Sequence, residues 1–115
     1  MIKASWDVEE LVALIDVYRR SGRKTSEAID GELLSLSTIL HKRAERLEIA
    51  HDEKFRNLNG MKMMFQNVAF IATGGQQGLS AVSVAMRKVY EMLSVAPEVF
   101  ELILNEFETH YGKLK

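Results

Sequence analysis

The sequence predicts an all-α protein, a compact single-domain bundle of about five helices. Hydrophobic side chains recur at three- and four-residue intervals along most of the chain, which is the period of a helix with one buried face. One proline and seven glycines leave little room for long loops. A length of 115 residues, with 47% hydrophobic and 27% charged side chains, fits one globular domain over residues 1–115.

Two helices are predicted in the first half of the chain. Ser5 is the expected N-cap of the first, and Gly22 marks its end. A short turn capped by Thr25 or Ser26 is expected next. The second long helix is then predicted over residues 32–49, where leucines recur at helical spacing.

Three further helices are predicted in the second half. The third covers residues 58–73, with Asn57 and Asn59 as good caps, because an asparagine oxygen accepts from the open N–H groups of a first turn. Ser80 is expected to cap the fourth. Pro97 suits the first position of the fifth helix, where its missing N–H is no loss. The inner face of this last helix is predicted to hold Val99, Phe100, Ile103, Leu104 and Phe107.

Charge is distributed unevenly, although the formal net charge is only −1. Between Arg19 and Lys88 the chain carries twelve Lys and Arg against seven Asp and Glu, whereas the two flanks carry three against nine. This asymmetry allows a basic surface beside an acidic one. On bulk charge alone, strong non-specific DNA binding is not expected.

The most informative stretch is residues 55–68, which begins as a polar turn and continues as an apolar helix. A helix N-terminus with free amides, a positive dipole end and cationic neighbours suits an anion. Arg56 and Asn57 have two interpretations here. They contact the anion, or they form a buried polar cluster that caps the helix and braces the turn.

The chain offers little catalytic chemistry. His41, His51 and His110 lack metal-ligand spacing, and no two carboxylates are placed for general acid–base work. Zero cysteines exclude disulfides and thiolate chemistry. No apolar run approaches the ~20 residues of a membrane span, and no signal core is evident at the start. We therefore expect a cytoplasmic protein with no enzyme activity, no metal, no cofactor and no membrane contact.

Four blocks of the sequence resemble the N-terminal domain of McrA-like HNH restriction endonucleases, which attack modified DNA. The third block is similar to the family's FRNxxGVxxKLxNF, and the match covers most of the chain. In order, the blocks are Ser5-Trp6…Glu9-Glu10-Leu11 leading to Tyr18, then Leu36-Ser37…Leu40, then Phe55-Arg56-Asn57…Asn59-Gly60-Met61…Met63…Asn67, and Pro97…Phe100.

The resemblance implies a DNA-contacting or target-reading segment. The HNH motif itself is missing, so the chain looks like the reader module alone, either an excised N-terminal piece or a stand-alone relative. The family's Lys-Leu pair is replaced by Met64-Phe65, with Lys62 two positions earlier. No contact by that family lysine is therefore carried over.

Two functions are predicted from these observations. The first is a DNA-binding, target-recognition module of a restriction or defence-type nuclease system, without the nuclease itself. The alternative is a helical protein–protein interaction or homodimerisation adaptor, with the methionine-rich third helix and the acidic last helix as candidate surfaces. The expected partners are DNA, modified DNA included, a nuclease domain or subunit, and a second copy of the chain.

The DNA-binding hypothesis requires cationic side chains from separate segments to converge where the third helix begins. Within it, Gln66 is expected to pair with an adenine edge if its face is exposed. The candidate DNA-binding residues are Arg19, Arg20, Arg23, Lys24, Lys42, Arg43, Arg46, Arg56, Asn57, Asn59, Lys62 and Gln66.

Overall fold

The computed structural model describes residues 5–112, and this part of the chain folds into five α-helices without a strand. The predicted all-α bundle is therefore confirmed. The helices are α1 (Val8–Arg19), α2 (Ser26–Arg46), α3 (Leu58–Ala72), α4 (Val84–Val95) and α5 (Pro97–Tyr111).

Helix α1 is the centre of the bundle. Every residue from Glu10 to Val17 is buried, and α1 packs against each of the other four helices. A helix that is buried all round is stable only when neighbours cover every side. The side chains that cover it are Leu33, Leu36 and Leu40 of α2, Met61, Phe65 and Val68 of α3, Met86 and Val89 of α4, and Phe100, Leu104 and Phe107 of α5.

Two helices begin later than predicted. Asp7, not Ser5, caps α1: its carboxylate accepts from the backbone N–H of Glu10 at 3.0 Å, and the Glu10 carboxylate accepts from the Asp7 N–H at 3.1 Å. This reciprocal capping box satisfies two open donors at once, which a lone serine cannot do. Ser83, not Ser80, caps α4 through its hydroxyl.

Helix α2 is one continuous helix rather than a turn followed by a shorter helix. Thr25 caps it, its hydroxyl accepting from the Ala28 N–H at 3.1 Å. The helix then runs through Gly31 and ends at Arg46. An internal glycine costs a helix about 1 kcal/mol, and the burial of the leucines on both sides outweighs that cost.

The starts of α3 and α5 agree with the sequence prediction. Asn57 caps α3 by accepting from the Gly60 N–H at 2.9 Å, and Pro97 occupies the first turn of α5. One detail of α5 is wrong: Val99 is exposed rather than part of the inner face.

The loop after α3 returns to pack on the helix that precedes it. The Leu79 N–H donates to the carbonyl oxygen of Gln66 at 3.1 Å, and the Asn67 side chain donates to the carbonyl oxygen of Leu79 at 2.9 Å. Gly78 sits between them at φ +84°, so close that a Cβ atom there would lie 2.1 Å from the Gln66 oxygen. This loop therefore covers the Asn67 side of α3.

Candidate nucleic-acid interface

The chain enters α3 through a turn that is held from several sides. Arg56 has φ +48°, a left-handed conformation that is uncommon for a side-chain-bearing residue. Its carbonyl oxygen accepts from the Ser37 hydroxyl, and the carbonyl oxygen of Phe55 accepts from the Nε2–H of His41. These two bonds tie the turn to α2 and stabilise the strained backbone.

The Arg56 side chain points into the protein. Its Nε and Nη2 atoms each lie 2.9 Å from a carboxylate oxygen of Glu10, and Nη2 also donates to the carbonyl oxygen of Ser5 at 3.1 Å. The guanidinium lies 4.5 Å from the ring centroid of Trp6 and 4.4 Å from that of Phe55. With Asn57 engaged as the α3 cap, this geometry matches the second interpretation, a buried polar cluster that braces the turn.

The cationic cluster at the end of α1 is paired with carboxylates. Arg20 lies 2.9 Å from both Asp16 and Glu32, and Lys24 pairs with the other oxygen of Glu32. Asp16 and Glu32 are themselves buried. A buried carboxylate requires a compensating cation, so these bases stabilise the fold.

Arg19 bridges the first and last helices. Its Nε donates to Asp16 at 2.8 Å, and its two Nη atoms reach the Glu101 carboxylate at 2.6 and 3.1 Å. The hydrogen bonds from Arg19 hold the pKa of Glu101 below its ordinary value, and those to Glu101 raise the pKa of Arg19. Arg19 also lies over the Phe100 ring, 4.9 Å from its centroid.

Two further candidates on α2 are engaged within the protein. Arg43 is buried, with its Nη2 atom 2.9 Å from both Asp7 and Glu9. Arg46 donates to the carbonyl oxygen of His110 at 2.7 Å and lies over the Tyr111 ring. The structure therefore does not bring the twelve predicted residues together as one cationic face. The expectation of convergence is wrong for Arg19, Arg20, Lys24, Arg43 and Arg56, which are held by carboxylates.

The candidates that remain accessible centre on α3. This helix has fifteen residues and none is acidic, whereas each of the other four helices carries at least one Asp or Glu. Only four of its residues are exposed, and helical spacing places all four on one side. These residues are Asn59, Lys62, Met63 and Gln66. We call them the α3 face.

A cavity flanks the α3 face on each side. One, of about 170 Å³, has Ser26 and Asp30 of α2 opposite Lys62 and Gln66. The Lys62 ammonium lies 3.5 Å from Asp30, an exposed pair of the kind that contributes little to stability and exchanges partners readily. The other cavity, of about 270 Å³, is lined in part by Trp6, Lys54, Asn57, Met63 and Asn67.

Two cations near these cavities, one in space and one in sequence, form no ion pair within residues 5–112. Lys54 lines the cavity beside Met63, and Arg23 lies three residues before Ser26 of the opposite cavity. Neither forms an ion pair with another residue in the range 5–112, and the same holds for Lys42 on α2. The first amides of α3, those of Leu58 and Asn59, also lack an acceptor within this range.

Sequence reasoning missed three parts of this region. Trp6 and Lys54 belong to the α3 surroundings, and Met63 belongs to the α3 face itself. The signal for Met63 was present, since it lies one helical turn beyond Asn59 and one before Gln66. The ring cluster of His41, His51 and Phe55, with centroids 5.2 to 5.8 Å apart, was also missed, because it forms only where the segment after α2 packs back against that helix.

Within residues 5–112, no group of three or more His, Cys, Asp or Glu side chains is arranged to hold a metal ion. In the same range no helix combines the length and the apolar character needed to cross a lipid bilayer. Comparison of the chain with protein-family models, with curated proteins and with solved structures finds no match.

Proposed function

We propose that this chain is a nucleic-acid-reading module that places the α3 face in the major groove of duplex DNA. The observation that carries the proposal is the composition of that face. Asn59, Lys62 and Gln66 are three of the side-chain types that hydrogen bond to base edges, and an α-helix fits the width of the major groove. Met63, which is 60% exposed, adds an apolar contact of the kind made with a thymine methyl group.

Electrostatics supports the same orientation. DNA repels carboxylates, and α3 is the one helix without any. Lys54 lines the cavity beside Met63, and Arg23 is three residues from Ser26 of the opposite cavity, so both are candidates for phosphate contacts. The free amides of the first α3 turn and the positive end of its dipole add a further phosphate site. Lys62 gives up only a half-exposed pair with Asp30 on binding.

This proposal keeps the expected class of partner and changes the residues that contact it. Phosphate contacts are assigned to Arg23, Lys54 and Lys62, and base contacts to Asn59 and Gln66. Lys42 stays a candidate phosphate contact because it is exposed on α2. A restriction or defence-type nuclease system, acting in the cytoplasm, is the proposed setting, with the nuclease as a separate domain or subunit.

The test is the salt dependence of duplex binding, measured by fluorescence anisotropy between ~50 and ~200 mM salt. Each neutralised phosphate contributes about −0.9 to the slope of log K against log salt, so three contacts give a slope of about −2.7. Lys62→Ala is expected to reduce the slope by about 1. Lys88→Ala, which removes an equal charge from the exposed side of α4, is the matched control and should leave it unchanged.

Two results would count against the proposal. Absence of binding at the lower salt concentration would exclude a phosphate-contacting surface. Equal reductions of the salt slope by Lys62→Ala and Lys88→Ala would mean that net charge, and not the α3 face, governs DNA binding.

Homodimerisation is the second candidate function, and a different observation favours it. Four large apolar side chains are exposed on α4 and α5, among them Val95 at 73% and Leu102 at 61% exposure. Exposed apolar side chains mark protein interaction sites where they form a contiguous patch. If a second copy covers them, sedimentation will give a dimer mass for the wild-type chain and a monomer mass for the Val95→Asp, Leu102→Asp variant. A wild-type monomer at every concentration would exclude this function.

A further inference from the structure

The α3 face has a regular spacing that bears on which base pairs it reads. Asn59 and Gln66 are seven residues apart, which is 20° short of two full helical turns. The two amide side chains therefore project from nearly the same line along the helix. At 1.5 Å rise per residue, their origins are about 10.5 Å apart.

The distance between the two amide positions can be compared with the spacing of bases in the major groove. A recognition helix follows the major groove rather than the duplex axis, and in zinc fingers about two helical turns contact three successive bases. About 10.5 Å of α3 therefore covers about two base-pair steps. An asparagine or glutamine amide pairs with adenine through two hydrogen bonds, to N6 and N7, and no other base offers the same pair of groups in the major groove. Two amides on one line therefore match two adenines two steps apart.

The residues between the amides are consistent with this arrangement. Lys62 lies on one side of the line and Met63 on the other, one turn from each amide. Met63 faces the groove as an apolar surface, which suits the methyl group of a thymine at an intervening step. Lys62 is 50% exposed, and its exposed pair with Asp30 leaves its ammonium able to exchange that carboxylate for a phosphate.

We propose that the α3 face reads duplex DNA in which two adenines are two base-pair steps apart, Asn59 pairing with one and Gln66 with the other. This inference rests on the proposed function and adds the sequence class of the duplex. Replacing either adenine is expected to weaken binding by about five- to 150-fold, the range of a bidentate base contact.

Selection from a randomised duplex library followed by sequencing tests the inference. The wild-type chain should enrich adenine at two positions two steps apart. Asn59→Ala should lose the preference at one position only. Gln66→Arg should change the other position from adenine to guanine, because arginine pairs with guanine O6 and N7. Gln76→Ala, in the exposed loop after α3, is the matched amide control and should leave both preferences intact.

The possible failures are distinguishable. Salt-sensitive binding without base preference, with another spacing, or with a profile that Gln66→Arg leaves unchanged would overturn this inference and leave the proposed function standing. Absence of salt-sensitive binding would overturn both. Melting temperatures of the variants, expected within a few degrees of wild type because both positions are exposed, confirm that each variant is folded.

Discussion

Arg56 and Glu10 form a buried bidentate ion pair that joins the start of α3 to the central helix. Both N–O distances are 2.9 Å, and the two side chains are 8% and 2% exposed. Glu10 is also half of the α1 capping box, and Arg56 directly precedes the α3 cap, Asn57. The two residues are 46 apart in sequence, and their pair links the beginnings of two helices.

Arg56→Ala is expected to lower the free energy of unfolding by about 3–5 kcal/mol, because it leaves a buried carboxylate without its cation. Urea denaturation measures this directly. Lys54→Ala is the control, since it removes a nearby exposed cation and should change stability by less than about 0.5 kcal/mol. Loss of DNA affinity in Arg56→Ala with unchanged stability would instead identify Arg56 as a DNA contact.

Gly78→Ala is expected to destabilise the protein by more than about 2 kcal/mol. A Cβ atom there would lie 2.1 Å from the Gln66 carbonyl oxygen and 2.8 Å from the Phe70 nitrogen, so the loop must move off α3. The displaced loop would also lose its two hydrogen bonds through Leu79. Thermal unfolding followed by circular dichroism reports the change.

Gly74→Ala separates the cost of a side chain at positive φ from the cost of the close contacts that a Cβ atom would make at Gly78. Gly74 also has positive φ, +63°, yet nothing lies within 4 Å of its Cβ position. Its substitution should therefore show only the backbone cost of about 1 kcal/mol. Equal effects at Gly74 and Gly78 would contradict the close packing of the loop on α3.

The Arg19–Glu101 pair predicts a small acid-dependent loss of stability. The pKa of Glu101 is lowered in the folded protein by the hydrogen bonds from Arg19. Because the pKa is lowered in the folded state, the ion pair stabilises the fold fully above the unfolded-state pKa of about 4.3. This stabilisation is lost as pH falls through the folded-state pKa. Because both groups are about a third or more exposed, we expect at most about 1 kcal/mol.

Glu101→Gln checks this prediction. The difference in unfolding free energy between wild type and Glu101→Gln should be largest at neutral pH and should shrink as pH falls below about 4. The control is Glu106→Gln, which removes an exposed carboxylate of the same helix. The ion-pair partner of Glu106 is His110, at 3.9 Å, and no arginine within residues 5–112 holds it, so this variant should show no such trend. A difference that is independent of pH would exclude the ion pair as its cause.

Local rules were sufficient to predict most of the fold. The apolar spacing predicts the helices, and Asn57 and Pro97 mark two helix starts because their caps depend on neighbouring residues alone. Gly31 shows where such rules fail. A glycine is a reasonable break by propensity, but its cost is small beside the burial of leucines along α2.

The candidate site was less predictable, because ion pairing depends on packing between distant segments. Arg56 meets Glu10 across 46 residues, and Arg19 meets Glu101 across 82. No spacing rule in the sequence shows which carboxylate a given arginine will meet. The amide and lysine positions of α3 were predictable, since their exposure follows from helical period and the positions of the buried Met61, Phe65 and Val68.

The most direct test of the account is a ¹⁵N heteronuclear NMR titration of the protein with a short duplex. We expect the largest amide shifts at Asn59, Lys62, Met63 and Gln66, with smaller ones at Arg23 and Lys54. Shifts confined to α4 and α5, or no shifts at low salt, would contradict the claim that the exposed side of α3 is the surface that binds DNA.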